Sequence, residues 1–121
     1  MLLVDDEPDQ VEMYQLALEV TGYEVAVAYT GGDALAQARS RVPDVIVLDL
    51  RLPDLTGWDV CAALHADPCT ANIPVILLTA AAVRSLPEQA AAAGCAELLL
   101  KPCFPDQLTG AVRRLVAPQQ A

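Results

Sequence analysis

Basic residues are scarce in this chain, and their scarcity excludes one broad class of function. The 121 residues include only seven lysines and arginines against sixteen aspartates and glutamates, which gives a formal net charge of −9. Nucleic acids are bound through clusters of Lys and Arg that neutralise phosphate groups. We therefore expect no direct contact between this chain and nucleic acid.

Long apolar runs are also missing. The run over residues 73–83 is interrupted by Pro74 and Thr79, and it is far shorter than the roughly 20 residues that a membrane-spanning helix needs. The chain does not start with the basic segment and apolar stretch of a secretory signal. We therefore expect no membrane association and a cytoplasmic location.

The cysteines lack the spacing of a metal site. Cys61, Cys69, Cys95 and Cys103 form no Cys-x-x-Cys or Cys/His pattern. We expect no zinc site, and we expect reduced thiols, some of them buried as small hydrophobic groups. A disulfide pair stays open as an alternative.

Apolar residues are plentiful, and they are arranged in alternating elements. At 55% hydrophobic residues the chain can form one core, and we assign residues 1–117 to one domain and 118–121 to a linker or a frayed end. Five β-rich runs alternate with segments of helical composition, and the third and fourth runs are continuously apolar, as in strands that are covered on both faces. The predicted strands are residues 2–4, 24–28, 45–48, 75–79 and 97–100.

Five helices are predicted between and after these strands. Capping residues, a terminal glycine or a proline mark their boundaries. The boundary residues are Gly22 for the first helix, Thr30 and Asp33 for the second over residues 31–41, Thr56 and Asp59 for the third, Ser85, Glu88 and Gly94 for the fourth, and Pro105 and Pro118 for the last.

Each connection between successive strands is too long for a hairpin, so the strands should be parallel with right-handed crossovers. This alternation predicts an α/β fold, a doubly wound (βα)5 sandwich with a five-stranded parallel sheet. For the strand order we adopt the flavodoxin-like 2-1-3-4-5 as an expectation. Ligands of such sheets bind outside the carboxyl ends of the strands. The polar residues at those ends are Asp5, Asp6 and Glu7 after the first strand, Asp49 after the third, Thr79 in the fourth and Lys101 after the fifth.

The first and third strands are neighbours in this order, which would place Asp5, Asp6 and Asp49 in one pocket. Two carboxylates about 4 Å apart repel by roughly 4 kcal/mol at an effective dielectric constant of 20. Three together need a cation or a raised pKa, and carboxylate oxygens are ligands that Mg²⁺ prefers. Lys101, the only lysine in the chain, is expected to reach the pocket from the opposite side.

These segments resemble the receiver domain of two-component response regulators. The resemblance covers essentially the whole chain, with its motifs in the family's order and at the family's separations. The matching segments are residues 3–7 (LVDDE), residues 47–54 (VLDLRLPD) with Gly57, residues 75–80 (VILLTA) and residues 100–102 (LKP).

The resemblance implies that Asp49 takes a phosphoryl group from a sensor histidine kinase or a phosphotransfer protein. The chain would then be no enzyme toward other substrates, since it catalyses only its own phosphorylation and dephosphorylation. Thr79 and Lys101 would contact phosphoryl oxygens, and the Lys101–Pro102 bond would be cis. The implied Mg²⁺ ligands are Asp5, Asp6, Asp49 and the backbone carbonyl of Arg51.

The family's output surface comprises the fourth helix, the fifth strand and the fifth helix, and relatives use it for homodimers or effectors. This sequence departs from the family there, because Leu98 occupies the position of the usual switching aromatic residue. Cys103 replaces another aromatic residue, and Phe104 stands at the helix-capping position. An alternative is therefore a degenerate receiver that acts as a phosphorylation-independent interaction module.

Other uses of the same residues fit less well. A phosphatase resembling the haloacid dehalogenases would need an acid two residues after Asp49, where this chain has Arg51. A flavin-binding module would need a phosphate-binding loop after the first strand, and the acids there would repel phosphate. We further expect Asp54 and Gly57 to shape a loop and His65 to face solvent.

Overall fold

A parallel sheet is the centre of the computed structural model, which describes residues 1–79, 88, 94–101 and 105–116. Within those residues the sheet has five strands in the order β2-β1-β3-β4-β5, and every neighbouring pair is parallel. The predicted fold class and strand order are confirmed. The strands are β1 Leu2–Val4, β2 Ala26–Ala28, β3 Ile46–Asp49, β4 Val75–Thr79 and β5 Glu97–Leu100.

Four helices are fully bounded within the described residues, and none is long and apolar enough to cross a membrane. They are α1 Pro8–Thr21, α2 Gly31–Arg41, α3 Gly57–Ala66 and the C-terminal helix Pro105–Leu115. The last ends earlier than predicted. The predicted fourth helix lies outside the described residues apart from Glu88 and Gly94, as do Pro102, Cys103, Phe104 and the domain boundary after residue 117.

Apolar clusters cover both faces of the sheet, because successive strand residues point to opposite sides. Leu2 and Val4 of β1 pack with residues of α2 and α3, whereas Leu3 between them packs with residues of α1 and the C-terminal helix. The apolar residues of β3 and β4 alternate between the same two clusters. A buried sheet between two helix layers therefore holds the carboxyl ends of the strands in fixed positions.

The helix boundaries follow the predicted capping chemistry with one difference. Gly22 ends α1 in the left-handed region at φ 113°, and the predicted reciprocal capping box of α3 is present. At α2 the Thr30 hydroxyl accepts from the Asp33 amide as predicted. The Asp33 carboxylate does not complete the box, however, and accepts from the Gln37 side chain instead.

Val42 follows α2 in a conformation that suits glycine. Its φ is 43°, where a β-branched side chain crowds its own backbone. The side chain is half-exposed, so little packing depends on it. We expect Val42→Gly to raise the free energy of unfolding by about 0.5–1 kcal/mol, measured by urea denaturation. Val42→Ala keeps the Cβ and should give no such gain; equal gains from both variants would contradict this explanation.

Candidate functional site

Three carboxylates meet where β1 and β3 end. Asp5 and Asp6 follow β1 directly, Asp49 is the last residue of β3, and the two strands pair with Val4 opposite Leu48. One oxygen of each of the three carboxylates lies within 4.8 Å of the others. Asp5 and Asp49 are buried, whereas Asp6 is exposed at the open side of the cluster. The structure thus brings together the acids that the strand order predicts.

Lys101 reaches these carboxylates from β5. Its Nζ lies 3.2 Å from Asp5 Oδ2 and 3.0 Å from Asp49 Oδ2. Its backbone amide donates to the carbonyl of Thr79 at 2.7 Å, which fixes the residue at the end of the β4–β5 ladder. One ammonium group therefore links the exits of three strands.

The two buried carboxylates are held in the same way. Asp5 Oδ1 accepts a hydrogen bond from the amide of Glu7 at 3.0 Å, and Asp49 Oδ1 accepts one from the amide of Arg51 at 3.1 Å. Each therefore has one oxygen fixed by the backbone two residues later, as in an Asx-turn. The second oxygen of each faces Lys101, so neither carboxylate can rotate without losing a hydrogen bond.

The protonation of Lys101 follows from these contacts. Burial alone would lower the pKa of its ammonium, but the hydrogen bond and charge of Asp49, together with those of Asp5, raise the pKa above its ordinary value. The side chain therefore carries a full positive charge at neutral pH.

Gln10 is the site residue that the sequence reasoning missed. Its Oε1 accepts from Lys101 Nζ at 2.5 Å. With Asp5 and Asp49 it gives the ammonium three acceptors, which is the number that its three N–H bonds can serve. The sequence offers one sign of this role, because Gln10 is a polar residue early in the helix that follows β1, next to the buried Val11.

Thr79 and Arg51 lie at the same edge of the sheet. Thr79 is buried at the end of β4 and pairs with Leu100, the residue before Lys101. Arg51 contributes its backbone amide to Asp49, and the residue is exposed overall. The predicted role of its backbone carbonyl as a metal ligand stays a prediction. His65 lies on α3 and is exposed, as expected.

The loop after β3 is fastened to two helices. Asp54 accepts hydrogen bonds from the amides of Gly31 at 2.7 Å and Gly32 at 2.9 Å, at the first turn of α2. The bonds from Gly32 and Gly31 hold the pKa of the Asp54 carboxyl below its ordinary value. At the start of α3 the amide of Gly57 donates to the carbonyl of Leu50 at 2.7 Å. Both residues shape the loop, as the sequence predicts.

Gly57 has no space for a side chain. A Cβ there would lie 2.8 Å from the Cα of Leu50 and 3.1 Å from the carbonyl oxygen of Asp49, so the backbone beside Asp49 would have to move. We expect Gly57→Ala to lower the free energy of unfolding by about 1–3 kcal/mol in urea denaturation. The matched control is Gly110→Ala in the C-terminal helix, where the nearest atom is 4.0 Å away. That change should instead stabilise by about 0.5–1 kcal/mol, and a loss of similar size at both positions would contradict the argument.

The site has the charge and the ligand atoms for a divalent cation. Three carboxylates and one ammonium carry a formal charge of −2, and the carboxylate oxygens lie within 4.8 Å of one another. Oxygen ligands of this kind suit Mg²⁺, which binds through one or two carboxylates and keeps several waters. The exposed Asp6 leaves the cluster accessible from solvent.

Comparisons with known proteins agree on one family. Residues 1–113 match the family model described as the response regulator receiver domain. The chain is 38% identical over 115 residues to the response regulator PleD of Caulobacter vibrioides, covering 95% of this chain and 25% of that protein. It is 40% identical over 121 residues to the transcriptional regulatory protein KdpE of Mycobacterium tuberculosis, covering 97% of this chain and 52% of that protein. The chain thus spans between a quarter and about half of the length of these relatives.

Solved structures show the same architecture. The chemotaxis protein CheY4 of Vibrio cholerae superposes with a TM-score of 0.88 at 30% identity, covering 95% of this chain and 96% of that one. The non-phosphorylated HemR receiver domain of Leptospira biflexa gives a TM-score of 0.86 at 29% identity, with 99% and 95% of the two chains covered. The likeness therefore extends over nearly the whole length of both proteins.

Proposed function

Because this chain belongs to the receiver-domain family of two-component response regulators, we propose that it takes a phosphoryl group onto Asp49. The observation that supports the proposal best is the position of this carboxylate. Its Oδ1 is held by the amide of Arg51 and its Oδ2 by Lys101, beside two further carboxylates. A nucleophile with a fixed orientation in a cation-binding cluster is what phosphoryl transfer requires.

The proposed reaction uses the chain's own groups. A carboxylate oxygen of Asp49 attacks the phosphorus of a phosphohistidine, the phosphorus–nitrogen bond breaks, the imidazole leaves with its electron pair, and an acyl phosphate forms. Lys101 stabilises the negative charge of the phosphoryl oxygens, and the buried Thr79 at the neighbouring strand end donates its hydroxyl to one of them. Hydrolysis of the acyl phosphate returns the free carboxylate.

Receiver domains bind Mg²⁺ at an acidic pocket, and the cluster in this chain fits that ion. We propose Asp5, Asp6, Asp49 and the backbone carbonyl of Arg51 as its protein ligands. When bound, Mg²⁺ neutralises charge on the phosphoryl oxygens. Asp6 is the exposed member of the cluster and is therefore the carboxylate that an arriving ion meets first.

The partners follow from the family. Receiver domains interact with histidine kinases or phosphotransfer proteins, and we propose such a protein, in the cytoplasm, as the phosphodonor here. We also propose that phosphorylation changes the surface formed by the predicted fourth helix, β5 and the C-terminal helix, which then binds an output partner or a second copy. The net charge of −9 makes a protein partner more suitable for this domain than nucleic acid.

A second candidate is an interaction module that does not depend on phosphorylation, and Leu98 is the observation that favours it. Leu98 lies in β5 opposite Leu77 and packs, partly buried, against the cluster on the α2–α3 side of the sheet. A leucine there lacks the ring of the aromatic residue that the family moves between two positions. In this candidate the output surface would stay the same whether or not phosphate is present.

Mass spectrometry of the intact chain separates the two candidates. After incubation with acetyl phosphate and Mg²⁺ we expect a gain of about 80 Da, the mass of one phosphoryl group. The same incubation with EDTA should give no gain, because the metal is removed. An unchanged mass in the presence of Mg²⁺ would favour the phosphorylation-independent module.

A further inference from the structure

We propose that Cys61 and Cys95 form a redox-active dithiol that closes reversibly into an intramolecular disulfide. Their Sγ atoms lie 3.6 Å apart although the residues are 34 positions apart in sequence. A disulfide bond is about 2.05 Å long, so the two sulfurs would have to approach by only about 1.5 Å. Cys61 is fully buried on α3, and Cys95 is partly buried shortly before β5.

The packing around the two thiols holds them face to face. His65 lies one turn after Cys61 on α3, and its ring lies close to Gly94, the residue before Cys95. A Cβ at residue 94 would lie 2.9 Å from both Cε1 and Nε2 of that ring, and Gly94 has a φ of +80°. α3 therefore lies against the segment before β5 at two adjacent positions, Gly94 and Cys95. The short distance between the two sulfurs follows from the packing of these two elements.

The two thiols are unequal, and the inequality suits a two-step oxidation. The hydrogen bond with Cys95 and burial both raise the pKa of the Cys61 thiol, which is fully buried. Cys95 is the thiol of the pair with some exposure to solvent. Cys95 is therefore the group that meets an oxidant, and Cys61 is the resolving thiol.

With hydrogen peroxide as the oxidant the reaction balances as follows. The Cys95 sulfur attacks one peroxide oxygen, the O–O bond breaks, and a sulfenic acid and one water form. The Cys61 sulfur then attacks the Cys95 sulfur and displaces a second water as the S–S bond forms. Together the thiols lose two electrons and two protons, and the peroxide is reduced to two waters. A thiol reductant reverses the bond by exchange.

Alkylation of the full chain tests the proposal. The reduced chain is treated with hydrogen peroxide, denatured and exposed to N-ethylmaleimide, and its mass is measured. The four thiols of the sequence should all react before oxidation, and only two should react afterwards. A peptide map should show Cys61 joined to Cys95. The cross-link should also raise the thermal unfolding midpoint by about 10 °C, because it restricts the unfolded chain.

Variants decide which cysteines are involved. Cys69→Ala should leave one reactive thiol after oxidation, that of Cys103, since Cys61 and Cys95 still form the disulfide. Cys95→Ser removes the thiol that meets the oxidant, so all three remaining thiols should stay reactive. Cys61→Ala removes the resolving thiol, so Cys95 should stop at the sulfenic acid, and the peptide map should show no disulfide. Cys95→Ser covers the case in which the buried change prevents folding. Four reactive thiols in the oxidised wild-type chain, or a disulfide that involves Cys69 or Cys103, would overturn the proposal.

Discussion

Asp49→Asn should abolish the gain of about 80 Da that we expect with acetyl phosphate and Mg²⁺. The substitution keeps the volume of the side chain and its ability to accept from the amide of Arg51. It removes the anionic oxygen that attacks phosphorus, and a carboxamide is a very weak nucleophile by comparison. The measurement is the mass of the intact chain after incubation, with circular dichroism to establish that the variant is folded.

The control for this prediction is Asp54→Asn. Asp54 lies in the same loop and also accepts backbone hydrogen bonds, but its partners are Gly31 and Gly32 of α2. It takes no part in the carboxylate cluster. Asp54→Asn should therefore lower the thermal unfolding midpoint and still be labelled. Normal labelling of Asp49→Asn would mean that another residue is the nucleophile.

The acidic cluster could be predicted because it depends on topology alone. Once β1 and β3 are neighbours in a parallel sheet, the residues after them must meet at one edge. The alternation of elements and the length of the crossovers predict parallel strands with right-handed connections, and the order 2-1-3-4-5 is an assumption taken from the flavodoxin-like fold. Lys101 was predicted by the same argument, since it follows β5 at that edge.

Contacts that depend on how a helix is rotated could not be predicted in this way. Gln10 reaches Lys101 only because α1 presents that side chain toward the strand ends. The approach of Cys61 to Cys95 likewise depends on the position of α3 against the segment before β5. Sequence spacing carries no information on either, because the partners lie 91 and 34 residues apart.

Strand lengths differ from the predictions for a related reason. The sequence predicts β2 over residues 24–28, but the strand spans only Ala26–Ala28, because its neighbour β1 has three residues for it to pair with. The sequence predicts β3 over residues 45–48, but the strand spans Ile46–Asp49, since Asp49 pairs with Leu78 in the longer β4. The length of a strand is thus set by its partner as well as by its own residues.

Lys101→Met should destabilise the metal-free domain by about 3 kcal/mol, because it leaves two buried carboxylates facing each other without their shared cation. The Lys101 side chain is 13% exposed, and its partners Asp5 and Asp49 are 1% and 10% exposed, so water can replace little of the lost interaction. Methionine keeps most of the side-chain volume, and Lys101→Ala should give a similar or larger loss. The measurement is urea denaturation in EDTA.

Magnesium should reverse much of this loss. Without Lys101 the cluster keeps all three carboxylates. We therefore expect the variant to bind Mg²⁺ at least as tightly as the wild type in calorimetry. Binding of the ion to the folded state should then raise the stability of the variant by mass action. The shift of the unfolding midpoint on phosphorylation should be reduced, since no ammonium remains to pair with the phosphoryl group.

The control is Arg113→Met, at an exposed position of the C-terminal helix, which should change stability by less than about 0.5 kcal/mol. Lys101→Met with wild-type stability in EDTA would show that Lys101 does not offset the repulsion between Asp5 and Asp49.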